Sequence, residues 1–222
     1  MARQRKDSVK RRIGAPARRA QVLRVAGEMF TKDGIDATSM RKIALKAGVS
    51  TALLYKHFAD KDALLLAIGE GFFEKLMRHM DKAVEGVTDP VKRLRIAMHT
   101  YVICGLQNPR EYHLTFMTAL PRLRRVAEMK AFRERARRGE TMADEDVMTG
   151  MRCFARLEQA VADVVASKRS RHKDVAAMSE VVWAGGHGLV SLIITHESFG
   201  FTETRRLVDM SIDVMLSGLL KA

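Results

Sequence analysis

The side chains best suited to bind another molecule lie close together between Thr38 and Lys61. Ser50, Thr51 and Ala52 place two hydroxyl groups and a methyl group side by side, and groups of this size can reach base edges in the major groove of DNA. The same stretch holds side chains that suit phosphate oxygens, at Tyr55, Lys56, His57 and Lys61. These residue types indicate nucleic-acid binding.

The spacing of apolar residues predicts two short helices that position these groups. The first helix follows a hydroxyl N-cap, Thr38 or Ser39, and its apolar residues recur at helical spacing at Met40, Ile43, Ala44 and Ala47. Gly48 can adopt the positive φ of a helix end, and Ser50 caps a second helix that turns Leu54 inward. Two helices joined by a turn of about four residues form a helix-turn-helix, although an ordinary helical hairpin has the same pattern.

The charge distribution favours DNA binding over a purely structural hairpin. Residues 1–60 carry 14 Lys and Arg against 5 Asp and Glu, while residues 61–222 carry 25 against 21, so most of the net charge of +13 lies near the N-terminus. Residues 1–15 are predicted to form a basic flexible arm, which is either a solvated tail or a segment that binds DNA. Arg-rich residues 122–138 are predicted to be a solvated surface, with a second DNA contact as the alternative.

The stretch IALKAGVSTALLYKHFADKDALL resembles the signature of the tetracycline-repressor (TetR) family of transcriptional regulators, and the resemblance covers residues 16–76. It implies an all-α fold, in which a helix-turn-helix DNA-binding domain at residues 16–76, with its motif at residues 39–58, precedes a ligand-binding and dimerisation domain at residues 77–222. The family pattern implies base contacts by Arg41, Thr51, Ala52 and Leu53. It implies phosphate contacts by Ser39, Tyr55, Lys56, His57 and Lys61.

Capping signals and apolar periodicity predict further helices. They begin near Ala17, Lys61, Pro90, Pro109, Asp144, Asp174 and Thr202, and the helix from Lys61 to about Val84 connects the two domains. Apolar residues 181–195 fall about five residues short of the ~20 that span a membrane, so we expect a buried helix and no membrane contact. No secretory signal fits the N-terminus, and we expect a cytoplasmic location.

The C-terminal half resembles, less specifically, a TetR subfamily whose effector domain carries a Trp and a His-Gly pair, here Trp183 and His187-Gly188. This resemblance implies a homodimer in which the last two helices pair with their copies as a four-helix bundle. Four small residues would permit close helix approach there, or equally within one subunit, at Gly185, Gly186, Gly188 and Ser191.

The resemblance also implies a small-molecule effector. The side chains that could line a cavity for it are apolar, aromatic or weakly polar, and core packing is the alternative for each of them: His99, Tyr101, Cys104, His113, Phe116, Met117, Met151, Phe154, Trp183 and His187.

Catalysis and metal binding are not indicated by the sequence. Cys104 and Cys153 form no CxxC pair, the histidines show no HExxH or i, i+4 spacing, and no Gly-rich phosphate loop follows a strand. The carboxylates at Glu140, Asp144, Glu145 and Asp146 adjoin the Arg-rich run, where they suit a helix start. We therefore expect neither a cofactor nor a metal.

Together these features predict a dimeric transcriptional regulator, a repressor, that binds a palindromic double-stranded operator and is released by a small molecule. The alternatives are an effector-independent or architectural DNA-binding protein and, less favoured, a helical enzyme.

Overall fold

The computed structural model describes residues 14–118 and 148–221, together with Lys130, Glu134 and Arg138. Nine α-helices account for most of these residues. The β-type pairing found among them is an isolated antiparallel bridge between Ser170 and Leu220. The all-α prediction is confirmed, whereas most of the predicted basic arm and most of the Arg-rich segment lie outside the described residues.

The chain divides into two compact units, with the boundary between Leu64 and Leu65. The first unit contains α1 (Ala15–Asp33), α2 (Met40–Lys46), α3 (Thr51–His57) and the first turn of α4 (Lys61–Ala83). The resemblance predicts a domain boundary near residue 76. That boundary remains a prediction, because the division at Leu64 reflects how the residues pack and not where the family's domain ends.

The core of the first unit forms because α1 and α2 each present one apolar stripe. On α1 the buried residues are Val22, Val25, Ala26, Gly27, Met29 and Phe30. Leu23, between Val22 and Val25, is only partly buried. Ile43 and Ala44 of α2 and Leu54 of α3 are also buried, and α2 contacts both α1 and α3.

The second unit is a helical bundle around one central helix, α5 (Pro90–Gln107). After α5 the chain forms the short helix α6 (Pro109–Tyr112) and continues into a π-helical turn (His113–Met117), where a regular α-helix was predicted. The remaining helices are α7 (Thr149–Ala166), α8 (Val175–Thr195) and α9 (Thr204–Leu219), with a 3₁₀ turn at Glu197–Phe199. Helix α5 packs against α7, α8 and α9.

Helix α8, predicted to be a buried helix, is buried on one face and exposed on the other. Val182 and Val190 lie in the core, but Val181, Trp183 and Leu192 are exposed. Among the described helices, α8 alone is long and apolar enough to cross a membrane by length and composition. Its buried face packs on α5, α7 and α9, as in the core helix of a bundle.

Two of the small residues on α8 serve packing within one subunit. A Cβ added to Gly185 would collide with Sδ of Met215 on α9, and one added to Gly186 would lie 3.3 Å from Cδ1 of Tyr101 on α5. A Cβ on Gly188 would meet open space. Of the two alternatives, close approach within the subunit therefore applies to Gly185 and Gly186.

Candidate functional site

The turn between α2 and α3 has the geometry that its glycine predicts. Gly48 adopts φ +65°, a conformation that favours glycine. The amide of Gly48 donates to the carbonyl of Leu45 at 3.1 Å, and the amide of Val49 donates to the carbonyl of Ala44 at 3.0 Å. These bonds satisfy carbonyls at the end of α2 and fix the direction in which α3 begins.

Both short helices begin with serine N-caps. Ser39 Oγ accepts from the amide of Lys42 at 3.3 Å, and Ser50 Oγ accepts from the amide of Leu53 at 3.1 Å. A hydroxyl that accepts a bond in this way keeps its own O–H as a donor. Each serine can therefore hold the helix and still donate to a DNA phosphate.

The predicted DNA-binding residues form a largely exposed surface of the first unit. The exposed ones are Ser39, Arg41, Ser50, Thr51, Ala52, Tyr55, Lys56 and His57, whereas Leu53 and Lys61 are partly buried. Leu54 and Phe58, on the opposite side of α3, are buried. Helix α3 is therefore anchored by its apolar side, and its polar side remains available.

Lys61 has a structural contact that sequence reasoning missed. Its Nζ donates to the carbonyl of Ile35 at 2.7 Å, which joins the start of α4 to the turn after α1. An ammonium group has three donors, so two remain for other acceptors. The bond to Ile35 limits where the Lys61 ammonium group can lie, so it also limits which phosphates the lysine can reach.

Two residues of α1 that sequence reasoning also missed brace the motif. Gln21 Nε2 donates to the carbonyl of Ala47 at 3.1 Å, so α1 is tied to the turn. The Arg19 guanidinium lies 5.4 Å from the centre of the Phe58 ring, a cation–π contact at the end of α3. Neither contact has a local sequence signal, because each joins residues far apart in the chain.

The second unit contains a cavity of about 1100 Å³. Five of the predicted ligand-binding residues line it, from α5, the π-helical turn, α7 and α8: Tyr101, Phe116, Met151, Phe154 and Trp183. Their side chains are mostly aromatic or apolar. The cavity can therefore take a molecule with a large apolar part.

The other five predicted residues are absent from the described lining. His99 Nε2 lies 3.7 Å from Oδ1 of Asp209, Cys104 is buried in the core, and His113 is exposed. Met117 packs against the core, and His187 hydrogen-bonds to Tyr112. Whether any of them contacts a ligand remains a prediction.

Helix α4 also contributes to the cavity, which sequence reasoning missed because it treated this helix only as a connector. Phe73 and Met80 of α4 line the apolar part. Charged side chains of both signs complete the described lining, at Asp81, Arg93, Lys130, Glu134, Arg156, Asp163 and Glu180. Asp81 forms an ion pair with Arg156, so part of this charge is internally balanced.

A chain of polar groups leads from the cavity wall into the core. Tyr101 Oη lies 2.9 Å from Tyr112 Oη, which lies 2.7 Å from His187 Nδ1. On the far side of the imidazole, His187 Nε2 lies 3.3 Å from Ser191 Oγ. The four groups come from α5, α6 and α8, so only the folded unit brings them together.

Burial keeps this chain uncharged near neutral pH. Loss of solvation raises the pKa of Tyr101 to about 12 and raises the pKa of Tyr112 further, and it lowers the pKa of His187. Burial also raises the pKa of the Cys153 thiol, in the cavity wall, to about 11. None of these groups is activated as a nucleophile.

Comparisons with known proteins agree with this arrangement. Residues 22–68 match the family model for bacterial regulatory proteins of the tetR family, and residues 94–217 match that for the tetracyclin repressor-like C-terminal domain. The HTH-type transcriptional activator FasR of Mycolicibacterium smegmatis is 37% identical over 112 residues, 47% of this chain and 48% of that protein. The HTH-type transcriptional repressor KstR2 of Mycobacterium tuberculosis is 34% identical over 79 residues, 36% of this chain and 40% of that protein.

The chain spans less than half the length of these two curated relatives. A solved structure, the fatty acid degradation regulator FadR of Bacillus halodurans, matches with a TM-score of 0.70 at 13% identity and covers 90% of this chain and 95% of that one. At this identity the likeness establishes the fold alone. Because the C-terminal family model covers more than half of the chain and the N-terminal one covers the helix-turn-helix, the protein belongs to the TetR family of transcriptional regulators.

Proposed function

We propose that this protein is a cytoplasmic repressor that binds a palindromic DNA operator as a homodimer and releases it when a small molecule occupies the cavity of the second unit. The observation that carries the proposal is the helix-turn-helix with its exposed polar face on α3. A repressor of this kind acts by occupying DNA that the transcription machinery needs.

The proposed DNA contacts divide into two groups. Arg41 and the front of α3, from Ser50 to Leu53, would contact bases, and the remaining polar residues would contact phosphates. Among the base-contact group, Arg41 has two parallel N–H donors that match the O6 and N7 acceptors of guanine. We therefore expect guanine at one symmetric pair of operator positions.

The homodimer is supported by the exposed apolar residues of the last two helices. Val181, Trp183 and Leu192 on α8 and Met210 and Val214 on α9 are all exposed in the single chain. Pairing α8 and α9 with their copies would remove these residues from water, which stabilises the association by roughly 25 cal/mol per Å² of apolar surface.

The cavity favours a regulated protein over an effector-independent or architectural DNA-binding protein. A void of about 1100 Å³ in the second unit forgoes packing contacts that a purely structural domain would make. A ligand would restore those contacts. The second unit is therefore proposed to sense a small molecule.

Selection of bound sequences from random duplexes tests the DNA proposal. We expect an enriched palindrome with half-sites about one helical turn, ~34 Å, apart, and steep salt dependence, with a slope of log K against log salt near −7 for about eight neutralised phosphates. Enrichment of no symmetric sequence, or a slope near zero, would contradict the proposal.

A further inference from the structure

The polar chain behind the cavity can present a hydrogen-bond donor to a ligand. Tyr112 is fully buried, and His187 and Ser191 lie behind it, so Tyr101 is the member of the chain that lines the described cavity. A buried run of this kind is stable only when every member has a partner. Tyr101 is therefore the group through which these hydrogen bonds can extend to a ligand in the cavity.

The chain can be satisfied in two directions, because each neutral member both donates and accepts. In one direction Tyr101 donates to Tyr112, Tyr112 donates to His187 Nδ1, and His187 Nε2–H donates to Ser191. In the other, Ser191 donates to His187 Nε2, His187 Nδ1–H donates to Tyr112, and Tyr112 donates to Tyr101. The second direction leaves the Tyr101 O–H free to donate into the cavity.

The surroundings of Tyr101 suit an uncharged acceptor. The aromatic rings next to Tyr101 are those of Tyr112 and Phe116, at centroid distances of 6.1 and 6.5 Å, and both rings are uncharged. The described cavity lining carries four carboxylates against three cations, so a carboxylate placed against Tyr101 would lose its hydration without an excess of positive charge to compensate, whereas a carbonyl oxygen loses far less.

We propose that the effector presents an uncharged carbonyl-type oxygen to Tyr101 Oη, which the Tyr112–His187–Ser191 chain holds as a donor, while the rest of the molecule packs on the apolar wall. This inference rests on the proposed effector cavity and specifies the chemistry that it recognises. It assigns Tyr101 to ligand contact and Tyr112, His187 and Ser191 to positioning.

The test uses Trp183, which is the single tryptophan of the chain and lines the cavity, as a fluorescent reporter. Three probes of similar shape are titrated at pH 7.5: decan-2-one, its isostere 2-methyldec-1-ene, in which CH₂ replaces the oxygen, and decanoate. We expect decan-2-one to bind about tenfold more tightly than either of the others, because the isostere leaves the Tyr101 donor unpaired and decanoate brings a charge.

Tyr101→Phe should abolish the preference for decan-2-one over the isostere, and Tyr112→Phe should reduce it. Thr88→Val, which also removes a hydroxyl group but at an exposed residue outside the described cavity lining, is the control and should leave the preference unchanged. In the wild-type protein, decan-2-one should convert His187 to the Nδ1–H tautomer, visible in the imidazole ¹⁵N chemical shifts and assigned with His187→Gln. This NMR measurement tests the role of the polar chain without a substitution at either tyrosine.

The outcomes separate this inference from the proposed function. If the probes bind but Tyr101→Phe keeps the preference, or decanoate binds as tightly as the ketone, the assignment to Tyr101 is overturned and the effector cavity stands. If the His187 tautomer does not respond to bound ketone, the role of the chain is overturned. If none of the probes binds, the result counts against the effector cavity and overturns this inference with it.

Discussion

Arg41 is the residue on which base recognition should depend most. It is exposed on α2, and its forked donors can bond two acceptors of guanine at once. We predict that Arg41→Ala relaxes base preference at one symmetric pair of operator positions and costs on the order of 1 to 3 kcal/mol per half-site, measured by binding to operators that vary at each position.

Arg41→Lys is the matched variant, since it keeps the charge and removes the fork. It should lose base preference like Arg41→Ala while retaining most of the salt dependence of binding. An unchanged sequence preference in both variants would show that Arg41 does not contact a base.

Two lysines of the proposed phosphate group should respond differently to removal. Lys56 is exposed, whereas Lys61 is partly buried and donates to the Ile35 carbonyl. We predict that both Lys56→Ala and Lys61→Ala weaken specific and non-specific DNA binding alike, but that only Lys61→Ala lowers the free energy of unfolding, by about 1 kcal/mol. Urea denaturation measures the stability of each variant, and DNA binding at several salt concentrations measures its affinity. Equal free energies of unfolding for the two variants would contradict the prediction.

Residues whose role depends on near neighbours were predictable from the sequence. The serine caps at Ser39 and Ser50 and the positive φ of Gly48 are local features, and the structure confirms them. The polar chain was not predictable, because Tyr112 and His187 are 75 positions apart and meet only through packing of α5, α6 and α8.

At the scale of helices, close approach in the second unit depends on Gly105 of α5. A Cβ there would lie 2.8 Å from Val190 Cγ1 and 3.0 Å from the Tyr112 ring. We predict that Gly105→Ala lowers the free energy of unfolding by roughly 1 to 2 kcal/mol, because overpacking outweighs the better helix propensity of alanine.

Gly71→Ala on α4 is the control for this substitution. A Cβ at Gly71 meets nothing within 4 Å, so only the propensity gain remains, and stability should rise by about 0.5 to 1 kcal/mol. Chemical denaturation of both variants measures the difference. A stabilised Gly105→Ala would mean that α5 and α8 can separate without cost.

The role of α4 could be predicted from the sequence only in part. Its start at Lys61 and its length were predicted, but two adjacent phenylalanines of similar sequence context differ in role. Phe72 is fully buried in the core, whereas Phe73 lines the cavity, and the two rings contact Phe116 at centroid distances of 5.9 and 5.5 Å. Phe73 is thus the residue of the pair through which a ligand could act on α4.

For the whole molecule, dimerisation should depend on the exposed apolar residues of α8 and α9. Val214 is 68% exposed in the single chain. We predict that Val214→Glu gives a folded monomer at micromolar concentration, because pairing would bury the added carboxylate without a partner, and that operator affinity falls with it. Sedimentation velocity measures the change.

Thr88→Glu adds the same charge at an exposed turn before α5 and should remain dimeric. A dimeric Val214→Glu protein would place the interface elsewhere. The proposed dimer follows from the sequence only through resemblance, because the apolar run of α8 is equally typical of a helix buried within one subunit.

The π-helical turn at His113–Met117 makes the shape of the cavity depend on chain length as well as on side-chain chemistry. A π turn holds one residue more than the α-helical turn it replaces. Thr115 and Phe116 lie in this turn and line the cavity, and Thr118 follows them. Removing one residue before Phe116 would convert the π turn to an α-helical turn and change the direction in which Phe116 points. A change in chain length within this turn could therefore give a new ligand specificity without any substitution in the cavity wall.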